Sequence, residues 1–378
     1  MKVEPSPSDV AGSASKVSNK SFFGSKINDK VYDANIPRLC VFTFVLGLGN
    51  IQTGFAISGN NQTAPVIKAK FGWDKEEAIL YNTIISAAAI FGVVTGSLAG
   101  GKFITKGRRV AIIVFNVFSA IATALTMFLN YPAIVIGRFF FGFCCGVFSV
   151  AGPKMLDETV PIQLSSSFGT ATNTFLSGGI MVALLLGAGL PDDSDYEGQV
   201  DDGFWRVIYG FPLICNVITI LMFLTCFRED SITYSISTDN DADALSLIKK
   251  VYAAHEDPDE ILASLKGKSE KGSSGITLGQ ACCDRKFKTS TWVAFALCFF
   301  QQQTGLDGIM IYSNTIFAQM ADKGAISITA KQGSYMVGTV NWVGALISPI
   351  PLSYFGRKTL LFWGQIAMGI SLVMTGIF

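Results

Sequence analysis

The chain has 378 residues, of which 50% are hydrophobic and 15% are charged. A typical soluble domain carries about 25% charged residues, so this composition excludes an ordinary soluble protein. The 29 basic residues are almost balanced by 28 acidic ones, which removes the excess of positive charge expected of a nucleic-acid-binding protein.

Nine apolar stretches follow one another along the chain, each of about 20 residues, the length that a helix needs to cross a bilayer core of about 30 Å. They cover residues 38–58, 79–99, 110–129, 133–155, 168–190, 207–227, 292–316, 335–355 and 360–378. We call them spans one to nine. The sequence therefore predicts a polytopic membrane protein of the all-α class.

The spans also predict the domain organisation. Residues 1–37 are a polar cytoplasmic segment, 38–227 hold six spans, 228–290 form a charged linker, and 291–378 hold spans seven to nine. In the linker, apolar residues recur at helical spacing from 242 to 265. This pattern predicts short amphipathic helices with a break at Asp257-Pro258.

Basic residues predict the orientation, because Lys and Arg of short loops are retained on the cytoplasmic side. With the amino terminus inside, 22 of the 29 basic residues lie in inside segments, six lie in outside loops, and Arg138 alone lies within a span. We therefore expect a cytoplasmic amino terminus. We also expect the plasma membrane rather than an internal one. The sequon Asn61-Gln-Thr63 falls in the first outside loop and is a candidate for glycosylation, with an unused sequon as an equal alternative.

Span seven carries a cluster of polar residues, which are costly in a membrane and therefore indicate a function. The cluster consists of Gln301, Gln302, Gln303, Thr304 and Asp307. At about 100° per residue, Gln301 and Thr304 share a helix face and Gln302 lies beside them. Amides donate and accept hydrogen bonds, which suits a neutral, polyhydroxylated ligand. The alternative is that these amides only bind neighbouring helices.

Two short motifs indicate an internal repeat. Lys106-Gly-Arg-Arg109 follows span two, and Phe355-Gly-Arg-Lys358 follows span eight. Parallel six-helix repeats are the plan of the major facilitator superfamily, and on that plan three helices are missing from the second half.

Longer motifs resemble one family of that superfamily. Residues 300–317, FQQQTGLDGIMIYSNTIF, are similar to the signature FQQxxGINxxxYYxxxIF of the sugar porters, the hexose transporters. The stretches GRFFFG at 137–142 and PKMLDETVP at 153–161 are similar to the family's GRxxxG and PxYxxExAP motifs. By these motifs, the chain from about Arg38 to its end is identified as a member of the sugar porter family.

The resemblance implies a fold and a site. The fold is that of the major facilitator superfamily, with a six-helix amino-terminal half and a carboxy-terminal half truncated to about three helices. Gln301, Gln302 and Asn341 would bind sugar hydroxyls. Asp307 replaces the family's sugar-binding Asn and Asn173 replaces its Gln, although both side chains still accept a hydroxyl proton.

The resemblance further implies facilitative transport of a hexose-type sugar by alternating access. Proton-coupled members have an Asp in span one that is thought to pair with the Arg of span four. Here the Arg is Arg138, but Thr53 stands at the Asp position, which favours facilitated diffusion. The alternative role of Arg138 is to anchor helix packing. Tyr312 matches the second of two gate tyrosines, and Ile311 replaces the first.

A charge network at the cytoplasmic end is the last implied feature, and in the family it latches the two halves together. The matching residues are Arg108, Arg109, Glu158, Glu229 and Arg357. Ser165 replaces one Arg of the network and Ser353 replaces one acid, which makes the latch smaller by one pair.

Other classes of function find no support in the sequence. It has no phosphate-binding loop, nucleophile motif or metal-ligand spacing, so we predict no enzyme activity, cofactor or metal, and a surface position for the single histidine, His255. The expected partners are a sugar and membrane lipid, without nucleic acid, and the oligomeric state stays open. Two alternative functions are a non-transporting sugar sensor that signals through the linker and a proton-coupled symporter of a sugar or polyol.

Overall fold

The computed structural model describes residues 33–161, 164–191, 195–253, 255–272, 278–285, 287–322 and 328–377. Within these ranges the chain forms α-helices and no strand, and a single isolated β-bridge joins Ala34 to Tyr252. The fold is therefore of the predicted all-α class.

Sixteen α-helices occur in the described ranges. The first part holds α1 (Ile36–Phe71), α2 (Lys75–Ile104), α3 (Arg108–Thr126), α4 (Tyr131–Thr159), α5 (Ser165–Leu186), α6 (Tyr196–Asp201) and α7 (Trp205–Thr225). The linker holds α8 (Ile232–Ser237), α9 (Asp241–Val251), α10 (Pro258–Gly272) and α11 (Leu278–Cys283). The last part holds α12 (Lys288–Gln302), α13 (Leu306–Asp322), α14 (Ala330–Ile347), α15 (Pro349–Tyr354) and α16 (Arg357–Ile377).

Seven segments of the described chain are long and apolar enough to cross a membrane, and they correspond to spans one to six and span eight. Span nine corresponds to α16, whose apolar part, Lys358–Met374, is shorter. Span seven is divided into α12 and α13. The protein is thus a polytopic integral membrane protein, with its helices in the predicted order.

The first helix, α1, is longer than span one and continues from Ser58 to Phe71. Hydropathy ends the span early because the following residues, Gly-Asn-Asn-Gln-Thr, are polar. The side chains of Asn60, Asn61 and Thr63 are buried instead of lying in a loop, since the neighbouring helices supply hydrogen-bond partners for them. Gln62 is buried as well, but its side-chain amide has no described partner. The helix ends at Gly72, whose φ of +66° is readily adopted only without a Cβ atom.

The linker helices α8, α9 and α10 pack on one another at one end of the helix bundle, which we call the linker end. The start of α1 lies there: the Asn35 amide donates to the Val251 carbonyl at 2.8 Å, and the Ala253 amide donates to the Asp33 carbonyl at 2.9 Å. Helices α9 and α10 lie in the range for which the sequence predicts amphipathic helices, and α10 begins at Pro258. The end at which α1 stops is called the opposite end.

Glycines bring α2 and α4 into close contact. A Cβ atom added at Gly96 of α2 would lie 2.0 Å from the Phe143 carbonyl oxygen, and one added at Gly142 of α4 would lie 2.0 Å from the Ala89 carbonyl oxygen. Only glycine allows the two backbones to approach this closely. The glycine motif of span four therefore serves helix packing.

We expect Gly142→Ala to lower the free energy of unfolding by about 1–3 kcal/mol, because its methyl group would overlap with a backbone carbonyl that cannot move aside. Gly101→Ala in α2 is the matched control, since nothing lies within 4 Å of the added Cβ atom. Thermal unfolding of the purified protein in detergent measures the difference. Equal melting temperatures for the two variants would contradict this account of the contact.

Candidate functional site

Span seven is broken at the polar cluster that the sequence singles out. Helix α12 ends at Gln302 and α13 begins at Leu306, and Gly305 between them has a φ of +71°. The Gln302 side-chain amide donates to the Asp307 carboxylate at 3.1 Å across the break, and the Thr304 hydroxyl donates to the Gln301 carbonyl at 2.8 Å. The break thus places two predicted site residues, Gln302 and Asp307, within hydrogen-bonding distance.

Gln301, Gln302 and Asp307 are all exposed, so their free donors and acceptors face open space rather than neighbouring helices. This is a feature of the whole segment, since α12 has no buried residue. Among the described hydrogen bonds, the side chains of Gln301 and Gln302 make none to a helix outside span seven. The arrangement can bind a ligand that offers both donors and acceptors.

The other two predicted site residues flank the contact between α5 and α14. Asn173 is exposed and precedes Thr174, whose hydroxyl donates to the Ala345 carbonyl at 3.3 Å. Asn341 is half-buried and precedes Trp342, whose indole nitrogen lies 3.2 Å from a Cβ atom built on Gly178. No described hydrogen bond joins Asn173 or Asn341 to Gln302 or Asp307. Of the five predicted site residues, the structure therefore pairs Gln302 with Asp307 directly. It places Asn173 and Asn341 beside the contact between α5 and α14.

Asn61 does not lie in a loop, so its predicted placement there is wrong. It lies in α1 with 6% of its surface exposed. Its side-chain amide donates to the Met310 carbonyl at 3.2 Å and to the Ser313 hydroxyl at 2.6 Å, and its oxygen accepts from the Asn314 amide at 3.2 Å. A side chain that is buried and bonded on both sides leaves no room for a glycan in this fold.

These bonds form a contact between the two halves at the opposite end, which sequence reasoning missed. The Ser313 hydroxyl extends the contact to the Ser334 hydroxyl of α14 at 3.0 Å. Lys331 adds a second connection, since its ammonium group donates to the carbonyls of Leu190 and Pro191 at 2.9 and 2.5 Å. The polar run after Ser58 was the available signal, because polar side chains next to an apolar span need hydrogen-bond partners if the helix continues.

The predicted gate residue Tyr312 lies on α13 beside this contact. It is 38% exposed, whereas Met310 and Ile311 are buried at 2% and 9% exposure. The aromatic ring therefore borders the buried contact without being part of it.

Arg138 is fully inside the amino-terminal half, with 2% of its surface exposed. Its guanidinium donates to the Ala56 carbonyl at 2.9 Å and lies 5.7 Å from the centre of the Tyr209 ring. Thr53 donates to the carbonyls of Gly49 and Cys145. Among the described residues, no carboxylate forms an ion pair with Arg138, so its observed contacts are those of a helix anchor.

The charge network at the linker end holds the amino-terminal half together. The Arg108 guanidinium donates to the Glu158 carboxylate at 2.8 Å, and the Ser231 hydroxyl donates to the same carboxylate at 2.5 Å. Arg109 donates to the carbonyls of Phe223 and Phe227. These described contacts lie within the amino-terminal half and its connection to α8, rather than between the two halves. The side chain of Arg357, the fifth predicted member of the network, lies outside the described residues.

Two acidic residues before α8 connect this network to neighbouring helices. The Asp230 carboxylate accepts the Arg108 and Arg109 amides at 3.2 and 3.1 Å and so caps α3; burial raises its pKa despite these bonds. Glu229 instead accepts from Lys250 and Ser246 of α9. Burial raises the pKa of Glu229, but the bonds from Lys250, from its own backbone and from Ser246 outweigh burial and leave its pKa lowered.

His255 lies at the surface as predicted, but not alone. Its Nε2 atom lies 3.1 Å from an oxygen of Asp33 and 3.7 Å from one of Glu256. One imidazole and two carboxylates could hold a metal ion, although exposed acidic groups commonly lie together without one. Asp33 is 223 residues from Glu256, so ligand spacing in the sequence could not reveal the group.

The helix order, the broken span and the paired halves define an integral membrane protein with the fold of the major facilitator superfamily. The structure of the proton:xylose symporter XylE bound to 6-bromo-6-deoxy-D-glucose aligns with a TM-score of 0.68 at 16% identity, over 86% of this chain and 71% of that one. A partially occluded, inward-open structure of XylE from E. coli aligns with a TM-score of 0.67 at 17% identity, over 85% and 75% of the two chains.

The family model described as "Sugar (and other) transporter" matches residues 42–378, and the chain belongs to this family. Hexose transporter 1 of Toxoplasma gondii is 26% identical over an alignment of 350 residues that covers 86% of this chain and 61% of that protein. Hexose transporter 1 of Plasmodium falciparum is 23% identical over 89% of this chain and 68% of its own length. The yeast myo-inositol transporter 1 is 24% identical over 90% and 58% of the two chains. The chain thus spans about three fifths of the first of these, and all three are transporters rather than enzymes.

The contact of Glu229 with α9 generates a prediction about pH. We expect Glu229→Gln to lower the melting temperature at neutral pH. The loss in free energy of unfolding should be no more than about 1 kcal/mol, because Lys250 is partly exposed. A carboxyl whose pKa is lowered on folding stabilises the folded state above its unfolded pKa, and this stabilisation is lost as the pH falls through the folded pKa. The melting temperatures of the unchanged protein and of Glu229→Gln should therefore converge as the pH falls from about 7 to about 3. A difference between the two proteins that does not change with pH would contradict the prediction.

Proposed function

We propose that the protein carries a hexose-type sugar across a membrane by alternating access. The observation that carries the proposal is the break in span seven, where Gln302 and Asp307 meet on an exposed surface within a chain of the sugar transporter family. The names of the hexose transporters that resemble the chain support a hexose as the substrate.

A sugar hydroxyl both donates and accepts a hydrogen bond, so its binding site needs groups of both kinds. In the proposed site Gln301, Gln302, Asn341 and Asn173 supply amides, and Asp307 supplies an acceptor that the Gln302 amide already orients. The exposed break leaves these groups free to exchange water for hydroxyls. The site would therefore select a ligand by its hydroxyl pattern, and the Asp307 carboxylate would disfavour an anionic ligand.

Alternating access requires one end of the site to close while the other opens. The contacts of Asn61 and Lys331 join the halves at the opposite end. The described contacts of Arg108, Arg109 and Glu158 do not join the halves at the linker end. We propose that this arrangement is the state open towards the linker end, and that breaking the Asn61 contact accompanies the change to the other state, with Tyr312 beside it as a gate residue.

Facilitated diffusion is the proposed energetic mode. Arg138 bonds to a backbone carbonyl, and Thr53 stands where a carboxylate would be needed for proton exchange. The excess of basic residues at the linker end supports a cytoplasmic amino terminus. The plasma membrane, rather than an internal one, is part of the same proposal. The sensor and symporter alternatives have no comparable observation in their favour.

We expect the double variant Gln301→Ala/Gln302→Ala to lower the ratio of maximal rate to KM for glucose uptake by about 100-fold. Each lost hydrogen bond to a hydroxyl is worth about 1 kcal/mol or somewhat more. Uptake of labelled glucose by vesicles that contain the chain, with and without a pH gradient, measures this. Gln303→Ala is the matched control, because Gln303 lies outside the shared face. Uptake that is absent, or that the double variant does not change, would argue against the proposal.

Asn61→Ala should loosen the opposite end, because it removes three hydrogen bonds between the halves. Hydrogen exchange of the backbone amides of α13 is expected to rise about tenfold, measured by mass spectrometry on the protein in detergent. Asn82→Ala is the control, since Asn82 donates only within the amino-terminal half, to the Ala64 carbonyl. A similar rise in both variants would indicate general destabilisation instead of a gate.

A further inference from the structure

An imidazole and two carboxylates meet at the linker end, away from the proposed sugar site. The Nε2 atom of His255 lies 3.1 Å from an oxygen of Asp33 and 3.7 Å from an oxygen of Glu256, and the three ligand atoms all lie within 4.8 Å of one another. Asp33 precedes α1, whereas His255 and Glu256 lie between α9 and α10. Because Asp33 and Glu256 are 223 positions apart, the group joins two distant parts of the chain.

The main chain holds these three residues together. An isolated β-bridge joins Ala34 to Tyr252, and the Ala253 amide donates to the Asp33 carbonyl at 2.9 Å. The Asp33 amide in turn donates to the Glu256 carboxylate at 3.0 Å. Carboxylates that bind a metal ion are usually oriented by such a hydrogen bond from the surrounding protein. The three side chains therefore start from positions that the backbone fixes.

The donor atoms and their spacing suit Zn²⁺. Zinc binds imidazole nitrogen and carboxylate oxygen at about 2.0–2.2 Å in tetrahedral geometry, which separates two ligand atoms by about 3.3–3.6 Å. The two distances from His255 to the carboxylates lie just below and just above this range. Mg²⁺ and Ca²⁺ take oxygen ligands, so the imidazole nitrogen favours zinc over them. Three protein ligands leave the fourth position of the ion to water.

The charges of the group also favour a divalent ion. Two carboxylates that lie close together repel each other, and no Lys or Arg of the described chain forms an ion pair with Asp33 or Glu256. A protonated His255 supplies one positive charge against two negative ones, whereas a divalent ion balances both. The side chains of Asp33 and His255 are 72% and 65% exposed, so an ion reaches them from solvent without opening the fold.

We propose that Asp33, His255 and Glu256 bind one Zn²⁺ ion, which fastens the start of α1 to the linker between α9 and α10. The bound ion stabilises the backbone hydrogen bond between Ala253 and Asp33, and with it the position of α1 against the linker. None of the three residues belongs to the proposed sugar site, so the proposal does not rest on the proposed function. It gives the linker end a contact that depends on the supply of a metal ion.

Isothermal titration calorimetry with Zn²⁺ tests the proposal on the purified 378-residue chain in an uncharged maltoside detergent, without a polyhistidine tag. We expect saturable binding that an excess of Mg²⁺ does not displace. His255→Ala and Asp33→Asn should each weaken it at least about tenfold, because loss of a residue that only orients a ligand already costs about 10- to 100-fold. Asp259→Asn is the matched control, since Asp259 is exposed in the same linker and lies outside the group. Unchanged affinity in His255→Ala, displacement by Mg²⁺, or an equal loss in Asp259→Asn would overturn the proposal.

Thiols are the competing zinc ligands in this chain. Cys282 and Cys283 are adjacent in α11 of the linker, and neither forms a disulfide. The double variant Cys282→Ser/Cys283→Ser should therefore keep the binding that His255→Ala loses. Binding that disappears in the cysteine variant and persists in His255→Ala would assign the zinc to the thiols and overturn the proposal.

Hydrogen exchange measured by mass spectrometry locates the effect of the ion. With Zn²⁺ at about ten times its dissociation constant, we expect the amides of Asn35 and Ala253, which bond the start of α1 to the linker, to exchange about tenfold more slowly. His255→Ala should abolish this slowing. Exchange that Zn²⁺ does not change at these amides, or slows equally in His255→Ala, would show that the ion does not fasten α1 to the linker.

Discussion

The hydrogen bonds of the polar stretch in α1 are the constraint on which the arrangement of the other helices depends. A polar side chain buried in a membrane must find a partner, and Asn60, Asn61 and Thr63 find theirs on α2, α7 and α13. Together these bonds fix the rotation of α1 against three helices. The two halves therefore meet at the opposite end in one register, and the broken span seven is held beside the amino-terminal half.

The break in span seven has a different physical origin, since it depends on one backbone conformation. Gly305 adopts a positive φ that other residues adopt at a cost, and the helix resumes after it. The unwound residues release polar groups that an intact helix would satisfy internally. A membrane helix can be interrupted in this way only where the freed groups are buried in protein or line a water-filled cavity. Here the amides around the break are exposed, which fits a cavity.

Much of the fold follows from sequence, because the signal for a membrane helix is a continuous apolar run. The helix order is predicted correctly, as is the family. The end of α1 is not, because hydropathy cannot distinguish a polar loop from polar residues buried between helices. The site is only partly predictable: helical spacing groups Gln301 and Gln302, but it treats span seven as one straight helix and so misses the Gln302–Asp307 bond. The contacts of Asn61 with Ser313 and Asn314 join residues more than 250 positions apart, which no local pattern encodes.

The continuity of α1 has a mechanical consequence. At about 1.5 Å per residue, the stretch from Asn35 to Asn61 is a rod of about 40 Å, with one end hydrogen-bonded to the close of α9 and the other to α13. A rigid rod transmits any axial displacement over its full length. The linker and the opposite-end contact are therefore not independent. A displacement of α9 that moves α1 also moves Asn61 at the opposite end in the same step, without passing through the ligand site.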